Sequence, residues 1–203
     1  MLVLHAAPNT ISVAVAIALE EARVPYDIAR VDFDTTEQTS ARYLAVNPKG
    51  RVPALVTPDG TLTETGAILE YIAATCDIAR PANAFAAAKL REVMYYLAAT
   101  MHVNHAHRMR GHRWADQAES HADMRAKVPQ TMAASCAYLE DALTLDPFVG
   151  EDVSIVDGYL FTLLTWLPGD GVDLADYPQL SAFADMMRQR ASVRAVVAKG
   201  LLM

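Results

Sequence analysis

The sequence predicts an α/β amino-terminal half joined to an all-α carboxy-terminal half, and three observations carry that reading. Short apolar runs and helical segments succeed one another in the order β-α-β-α-β-β-α up to Thr75, as in a small α/β sandwich. Around Asp77 to Asn83 the pattern lapses, with Pro81 inside a small polar and alanine-rich connector. Beyond it only helical periodicity is visible. A chain of 203 residues has room for one large domain or for two small ones sharing an interface. We place an α/β domain at 1–76, a linker at 77–84 and an all-α domain at 85–203.

Each element rests on its own pattern. Leu2 to Leu4 reads as a buried strand, and Ile11 to Glu21 as a helix whose Ala and Leu positions suit close packing. Tyr26 to Val31 is a second strand. Ser40 to Val46 is a short helix that ends before Pro48, because that ring disfavours helical geometry in Asn47. Pro53 to Thr57 and Thr61 to Thr63 form a hairpin around Pro58-Asp59-Gly60, and Thr65 to Thr75 closes the unit as a helix. Long helices are expected from about Ala84 to Arg110 and from about Ser120 to Leu143. Shorter ones cover Ile155 to Leu167, Gln179 to Gln189 and Val193 to Lys199. Ser154 stands three residues before Asp157, a pairing that satisfies orphan amides at a helix start and whose loss costs about 1 kcal/mol. Neither residue is assigned chemistry.

Composition narrows the function. Hydrophobic residues make up 53% of the chain, enough for a substantial core. The balance of 17 basic against 24 acidic residues, a net charge of -7, argues against a nucleic-acid partner held through its phosphates. Cys76 and Cys136 are far apart and form neither a redox pair nor a zinc pattern, which points to a reducing cytoplasm. Met1 to His5 run into a strand without a basic leader, and no apolar run approaches the ~20 residues that span a bilayer, so a soluble protein is expected.

The densest signal is Asn47-Pro48-Lys49-Gly50-Arg51-Val52-Pro53-Ala54-Leu55, followed by Glu64-Thr65-Gly66-Ala67-Ile68-Leu69. Proline at a strand start removes a ladder donor. A cis bond before Pro53 turns the Val52 amide and carbonyl sideways, where they can pair with an extended peptide as a miniature added strand. Glu64 and Thr65 fall where a new helix presents unpaired amides and the positive end of its dipole, a seat for a small carboxylate. Together these features form a peptide clamp.

This constellation resembles the glutathione transferase superfamily, and within it most closely the bacterial beta class. The similarity extends over nearly the whole chain, including the Ser154–Asp157 box and Tyr177-Pro178-Gln179-Leu180 in the second half. The resemblance implies a thioredoxin-like amino-terminal domain that binds glutathione as co-substrate, without metal, and a helical domain supplying an apolar electrophile pocket. It also implies a cytoplasmic homodimer with a role in detoxification. Val52 and Pro53 are then expected to hold the cysteinyl unit, Glu64 and Thr65 the γ-glutamyl ammonium and carboxylate, and Lys49 or Arg51 the glycyl carboxylate.

The loop Ala7-Pro8-Asn9-Thr10-Ile11-Ser12-Val13 matches the beta-class spacing without a gap, and Ile11 falls where that class usually carries cysteine. A mixed disulfide with glutathione is therefore not expected. Asn9, Thr10 and Ser12 remain as catalytic candidates, each of which alternatively serves helix capping or turn formation. His102 resembles in position a histidine that beta-class enzymes place near the thiol. His102 and His105 share a helix face, but with His107 and His112 they lack an acidic or cysteine ligand, so no metal site is expected. The expected function is conjugation of the glutathione thiolate to small apolar electrophiles. The alternatives are a non-catalytic glutathione-binding or regulatory protein, or another glutathione-dependent enzyme such as a peroxidase, isomerase or dehalogenase.

Overall fold

The structure, a computed structural model, describes residues 1–76, 78, 81–142 and 153–203. Strands β1 (Leu2–Ala6), β2 (Tyr26–Arg30), β3 (Ala54–Thr57) and β4 (Gly60–Thr63) form one sheet in the order β2-β1-β3-β4. β1 runs parallel to β2 and antiparallel to β3, and β3 and β4 make a hairpin. Helices α1 (Ser12–Glu21), α2 (Ala41–Leu44) and α3 (Thr65–Thr75) complete the pattern, so the sequence-predicted order holds element by element. Ser40 caps α2, accepting at 3.2 Å from the Tyr43 N–H.

In the second half α4 (Ala84–Tyr96) starts under an Asn83 cap, with the Ala86 N–H donating to Asn83 Oδ1 at 2.9 Å. The single helix expected to run on to Arg110 is instead interrupted. Leu97–Met101 is a π-helical turn, in which the His102 N–H reaches five residues back to the Leu97 carbonyl, and α5 (His102–Ala106) ends early. Apolar spacing does not reveal this, because Leu97 and Met101 are both buried on either side of the extra residue. After α6 (Ala118–Ala142) comes α7, which spans Ile155–Leu164 rather than reaching Leu167. Pro168 has no N–H for an i−4 bond and sits in the first turn of a new short helix, α8 (Leu167–Asp170). Helices α9 (Pro178–Gln189) and α10 (Ala191–Ala198) follow. The expected helix end at Leu143, and connector residues 77, 79 and 80, lie outside the described residues.

By compactness the chain divides differently from its division by secondary structure. One unit comprises Met1–Arg80, Asp152–Thr162 and Met187–Met203, and the other Pro81–Glu151 and Leu163–Met186. The cause lies in α1, where every residue from Ser12 to Leu19 is buried. A helix without a polar face needs cover on all sides. α1 packs on β1, α3 and α10, and Gly158 of α7 lies so close that a Cβ there would meet the Ala14 carbonyl oxygen at 3.1 Å. In the other unit Met94, Leu97, Met101, Met132 and Leu180 are buried. There both oxygens of Glu140 cap the start of α9, accepting from the N–H groups of Gln179 (2.7 Å) and Leu180 (2.9 Å).

The capping box is formed as read. Asp157 Oδ2 accepts from the Ser154 N–H at 2.6 Å and its hydroxyl at 2.8 Å, and Ser154 Oγ accepts from the Val156 N–H. Asp157 Oδ1 is buried without a partner among the described residues. Burial outweighs the hydrogen bonds and pushes the Asp157 carboxyl from its ordinary 3.8 up to about 7. The folded state then keeps a proton that the unfolded chain releases. This contribution to stability is complete below the ordinary value and is lost as pH rises through about 7. Asp157→Asn, which cannot ionise, is expected to flatten the fall in unfolding free energy across that window, whereas Ser154→Ala should cost about 1 kcal/mol even below it. Denaturant titrations at several pH values test both; a parental pH profile in folded Asp157→Asn contradicts the assignment.

Candidate functional site

Register brings the candidate residues to one end of the sheet. His5 pairs with Ala54, and Ala54 pairs with Thr63. The chain therefore leaves β1 toward Ala7–Ile11, enters β3 from Val52–Pro53 and leaves β4 toward Glu64–Thr65, all at the same end of the sheet.

The segment before β3 is held by side chains that sequence reasoning passed over. Asn47, 1% exposed, donates from Nδ2 to the Arg51 carbonyl at 2.6 Å and accepts at Oδ1 from the Lys49 N–H at 3.1 Å. The Tyr43 hydroxyl donates to the same Arg51 carbonyl at 2.7 Å, and burial pushes the Tyr43 phenol up to about 12, so it keeps its proton. Gly50 adopts φ +61, and a Cβ there would meet the Gln38 carbonyl oxygen at 3.1 Å. The Arg51 carbonyl is thus doubly satisfied, while among the described residues neither the Val52 N–H nor its C=O has a partner. The Val52–Pro53 bond is cis. An asparagine just before a turn and a buried tyrosine in a short helix were the signals that could have found this support.

At the start of α3 the first helical bond runs from the Ile68 N–H to the Glu64 carbonyl at 3.0 Å, which leaves the Thr65, Gly66 and Ala67 amides ahead of it. Thr65 is buried. Glu64 takes φ 71 and ψ 121, a region glycine tolerates and other residues enter at a cost of about 1–3 kcal/mol. Its carboxylate meets the Lys49 ammonium, which also donates to Thr63 Oγ1 at 2.7 Å. The ion pair is exposed, so exchanging it for a charged ligand costs little. Arg51 has an exposed side chain at the same loop.

The loop after β1 makes a hydroxyl chain. Thr10 Oγ1 lies 2.7 Å from the Ala7 carbonyl oxygen and 3.0 Å from Ser12 Oγ, and it accepts from the Ser12 N–H at 3.3 Å. With one proton to give, Thr10 donates to the carbonyl, which has none, and the Ser12 hydroxyl donates back to Thr10. Ser12 is fully buried, whereas Thr10 is partly exposed. Asn9 stands at φ 53; its N–H donates to the Leu201 carbonyl at 2.8 Å and its Oδ1 accepts from the Met203 N–H at 3.0 Å. Ile11 points into the core at 6% exposure.

His102 belongs to the helical unit, where its ring tilts against Trp166 at 5.2 Å. His105 stacks on the same indole at 4.2 Å and its Nδ1 lies 2.7 Å from the buried Asp170 carboxylate, which also meets Arg108 at 3.3 Å. His107 packs edge-on against Trp114 instead. No group of three His, Cys, Asp or Glu side chains among the described residues is arranged to hold a metal ion. Burial pushes the Cys136 thiol up to about 12, which keeps it from acting as a thiolate. No helix among the described residues is long and apolar enough to cross a membrane.

Comparison with known proteins agrees with this fold. Residues 1–74 match the glutathione S-transferase N-terminal domain, and residues 88–191 the glutathione S-transferase C-terminal domain. Glutathione S-transferase GstA of Escherichia coli O157:H7 is 30% identical over 96% of each chain. A glutathione transferase homolog from Sulfitobacter, solved with bound glutathione, is 55% identical, covers 100% of this chain and 99% of its own, and superimposes with a TM-score of 0.94. A bacterial beta-class glutathione S-transferase from Sphingomonas chungbukensis is 31% identical over 98% of this chain and 99% of its own, with a TM-score of 0.81. The chain belongs to the glutathione S-transferase family, with similarity to its beta class.

Proposed function

We propose that this protein binds glutathione at the clamp and transfers its thiolate to small apolar electrophiles. The observation that carries the reading is the unpaired Val52 backbone, set at one sheet edge beside the Glu64 carboxylate and the open first turn of α3. The Sulfitobacter protein with bound glutathione, 55% identical throughout, supports it. In this reading the Val52 N–H and C=O pair with the cysteinyl unit next to Pro53. Glu64 exchanges Lys49 for the γ-glutamyl ammonium, and the Thr65 amide and hydroxyl take the γ-glutamyl carboxylate. Lys49, once released, and Arg51 serve the glycyl carboxylate.

The protein's task at sulfur is to favour the anion. Lowering a thiol from its ordinary value near 8.5 by two units corresponds to about 2.7 kcal/mol, and one hydrogen bond to a charged acceptor contributes about 1.5–3 kcal/mol. In this reading Thr10 supplies that bond: its hydroxyl, now held by the Ala7 carbonyl, turns to the thiolate while the Ser12 hydroxyl donates to Thr10 Oγ1. Ser12 then acts through Thr10, and Asn9 through the shape of the turn. His102, just after a π-helical turn, is a second candidate donor. The thiolate attacks an electrophilic carbon, the carbon–sulfur bond forms, and the leaving group or a proton-accepting product departs without a protein adduct. Family membership further supports a cytoplasmic homodimer acting in detoxification, which sedimentation and fractionation test.

Calorimetric titration with glutathione and turnover across electrophile and peroxide panels decide among the readings. Binding without turnover on any panel favours a regulatory binder, and turnover on peroxides alone favours a peroxidase. Glu64→Ala and Thr65→Ala are each expected to weaken glutathione binding by at least about 1 kcal/mol. Glu64→Gly should lose the same affinity while raising or preserving stability, since glycine tolerates the φ at that position. Undiminished affinity in all three folded variants would rule out this seat.

Thr10→Val is expected to raise the apparent pKa of the bound thiol by about one unit, roughly 1.4 kcal/mol, with Ser12→Ala and His102→Ala moving it less. Turnover should survive replacement of both Cys76 and Cys136. A parental pH–rate profile in Thr10→Val contradicts the activation scheme, and a cysteine-free variant that binds glutathione without turnover returns covalent sulfur chemistry to consideration.

A further inference from the structure

The last residues of the described chain fasten the turn that the proposed function uses. After α10 the chain caps itself at Gly200, φ +65, with the Gly200 N–H donating to Val197 and the Leu201 N–H to Val196. The Arg30 guanidinium, at the end of β2, closes this cap by donating to the Lys199 and Gly200 carbonyls at 2.5 and 3.2 Å. The Lys199 ammonium pairs with Glu20 and lies 4.3 Å from the centre of the Tyr26 ring. Arg190 makes a two-point contact with Glu21 at 2.7 and 3.0 Å. Leu201 is fully buried. The segment is therefore anchored at the carboxy-terminal end of α1 and on β2 before it reaches Asn9.

There it forms two hydrogen bonds in opposite senses. The Leu201 carbonyl accepts from the Asn9 N–H at 2.8 Å, and the Met203 N–H donates to Asn9 Oδ1 at 3.0 Å. Asn9 holds a left-handed φ of 53, which asparagine adopts more readily than most residues but which still needs support. The next residue is Thr10, whose hydroxyl is held to Ala7 on the near side of the same turn.

We infer that Leu201–Met203 is a latch that holds the Asn9 turn and thereby sets the position of the Thr10 hydroxyl, so that Asn9 and Met203 are positioning residues for thiol activation. The role of the latch in activation rests on the proposed glutathione chemistry; the latch itself does not. It also gives the Asn9 side chain a task at Oδ1, which accepts from the Met203 amide.

Met203→Pro removes the donor at an exposed position and leaves the rest of the segment in place. Asn9→Gly removes the acceptor while tolerating the positive φ. In the ligand-free protein both variants should speed hydrogen exchange at the backbone amide of position 9 by about tenfold or more. With glutathione and electrophile, each should raise the apparent thiol pKa and lower kcat several-fold with little change in the KM for glutathione, and the double variant should be no worse than either single one. Removing residues 202 and 203 together should reproduce Met203→Pro. Unchanged exchange at Asn9 in folded Met203→Pro overturns the latch. Faster exchange with a parental pH profile, or additive losses in the double variant, overturns its positioning role. A parental protein that exchanges slowly at Asn9 but neither binds nor turns over glutathione refutes the proposed function and reduces the latch to a structural fastening.

Discussion

The burial of α1 on every side is the constraint on which the first compact unit depends. Each Val, Ile or Leu removed from water contributes about 1.5–3 kcal/mol, and α1 carries Val13, Val15, Ile17 and Leu19 with alanines packed between them. Sheet and α3 cannot wrap such a helix, so the chain must return to it from positions far along the sequence. Gly158 provides one approach, because a side chain there would collide with the α1 backbone. α10 provides another. The return leaves Glu20 and Glu21 at the carboxy-terminal end of α1, where the helix dipole disfavours acid, and Lys199, Arg190 and Ser192 supply the compensating charge and hydrogen bonds.

The same economy of polar groups defines the candidate site. At a sheet end, backbone donors and acceptors run out of ladder partners, and the protein must satisfy them or leave them for something else. The Arg51 carbonyl is satisfied twice, by Tyr43 and Asn47, while its neighbour Val52 is left open. The support fixes the loop and the opening gives it a use. Glu64 adds strain to this pattern, since a glycine there would cost less; its carboxylate, facing Lys49 across the clamp, is the compensating asset.

Much of this was legible in the chain itself. Alternation and punctuation located the strands and helices of the first half, because turn residues and apolar runs report local geometry. The order of Val52-Pro53 and Glu64-Thr65 singled out the proposed clamp for the same reason. What remained hidden depends on contacts distant in sequence or on backbone choices with no compositional mark. The π-helical turn before His102 leaves the apolar spacing nearly unchanged, and the break before Pro168 was read through because most of the flanking residues are apolar. Positive φ at Glu64 and Asn9 is unmarked by glycine. The partner of Asn9 lies 194 residues away and is a backbone amide, which no side-chain pattern announces.

In the proposed chemistry Ile11 lets such a turn work without a cysteine. A thiol at that place must sit near the surface to react, whereas the isoleucine is turned into the core and adds apolar contact beneath the loop. The turn thereby exchanges a reactive atom for a firmer seat. A hydrogen bond to a thiolate weakens steeply when its angle falls away, so the donor must be held in advance. Ile11 packed below, Ser12 donating from behind and the Leu201–Met203 segment fixed to Asn9 at the side are three independent restraints on one hydroxyl, that of Thr10. Activation by positioning alone requires restraints of this kind, and their convergence on the residue beside the missing cysteine is the strongest physical reason to assign it the task.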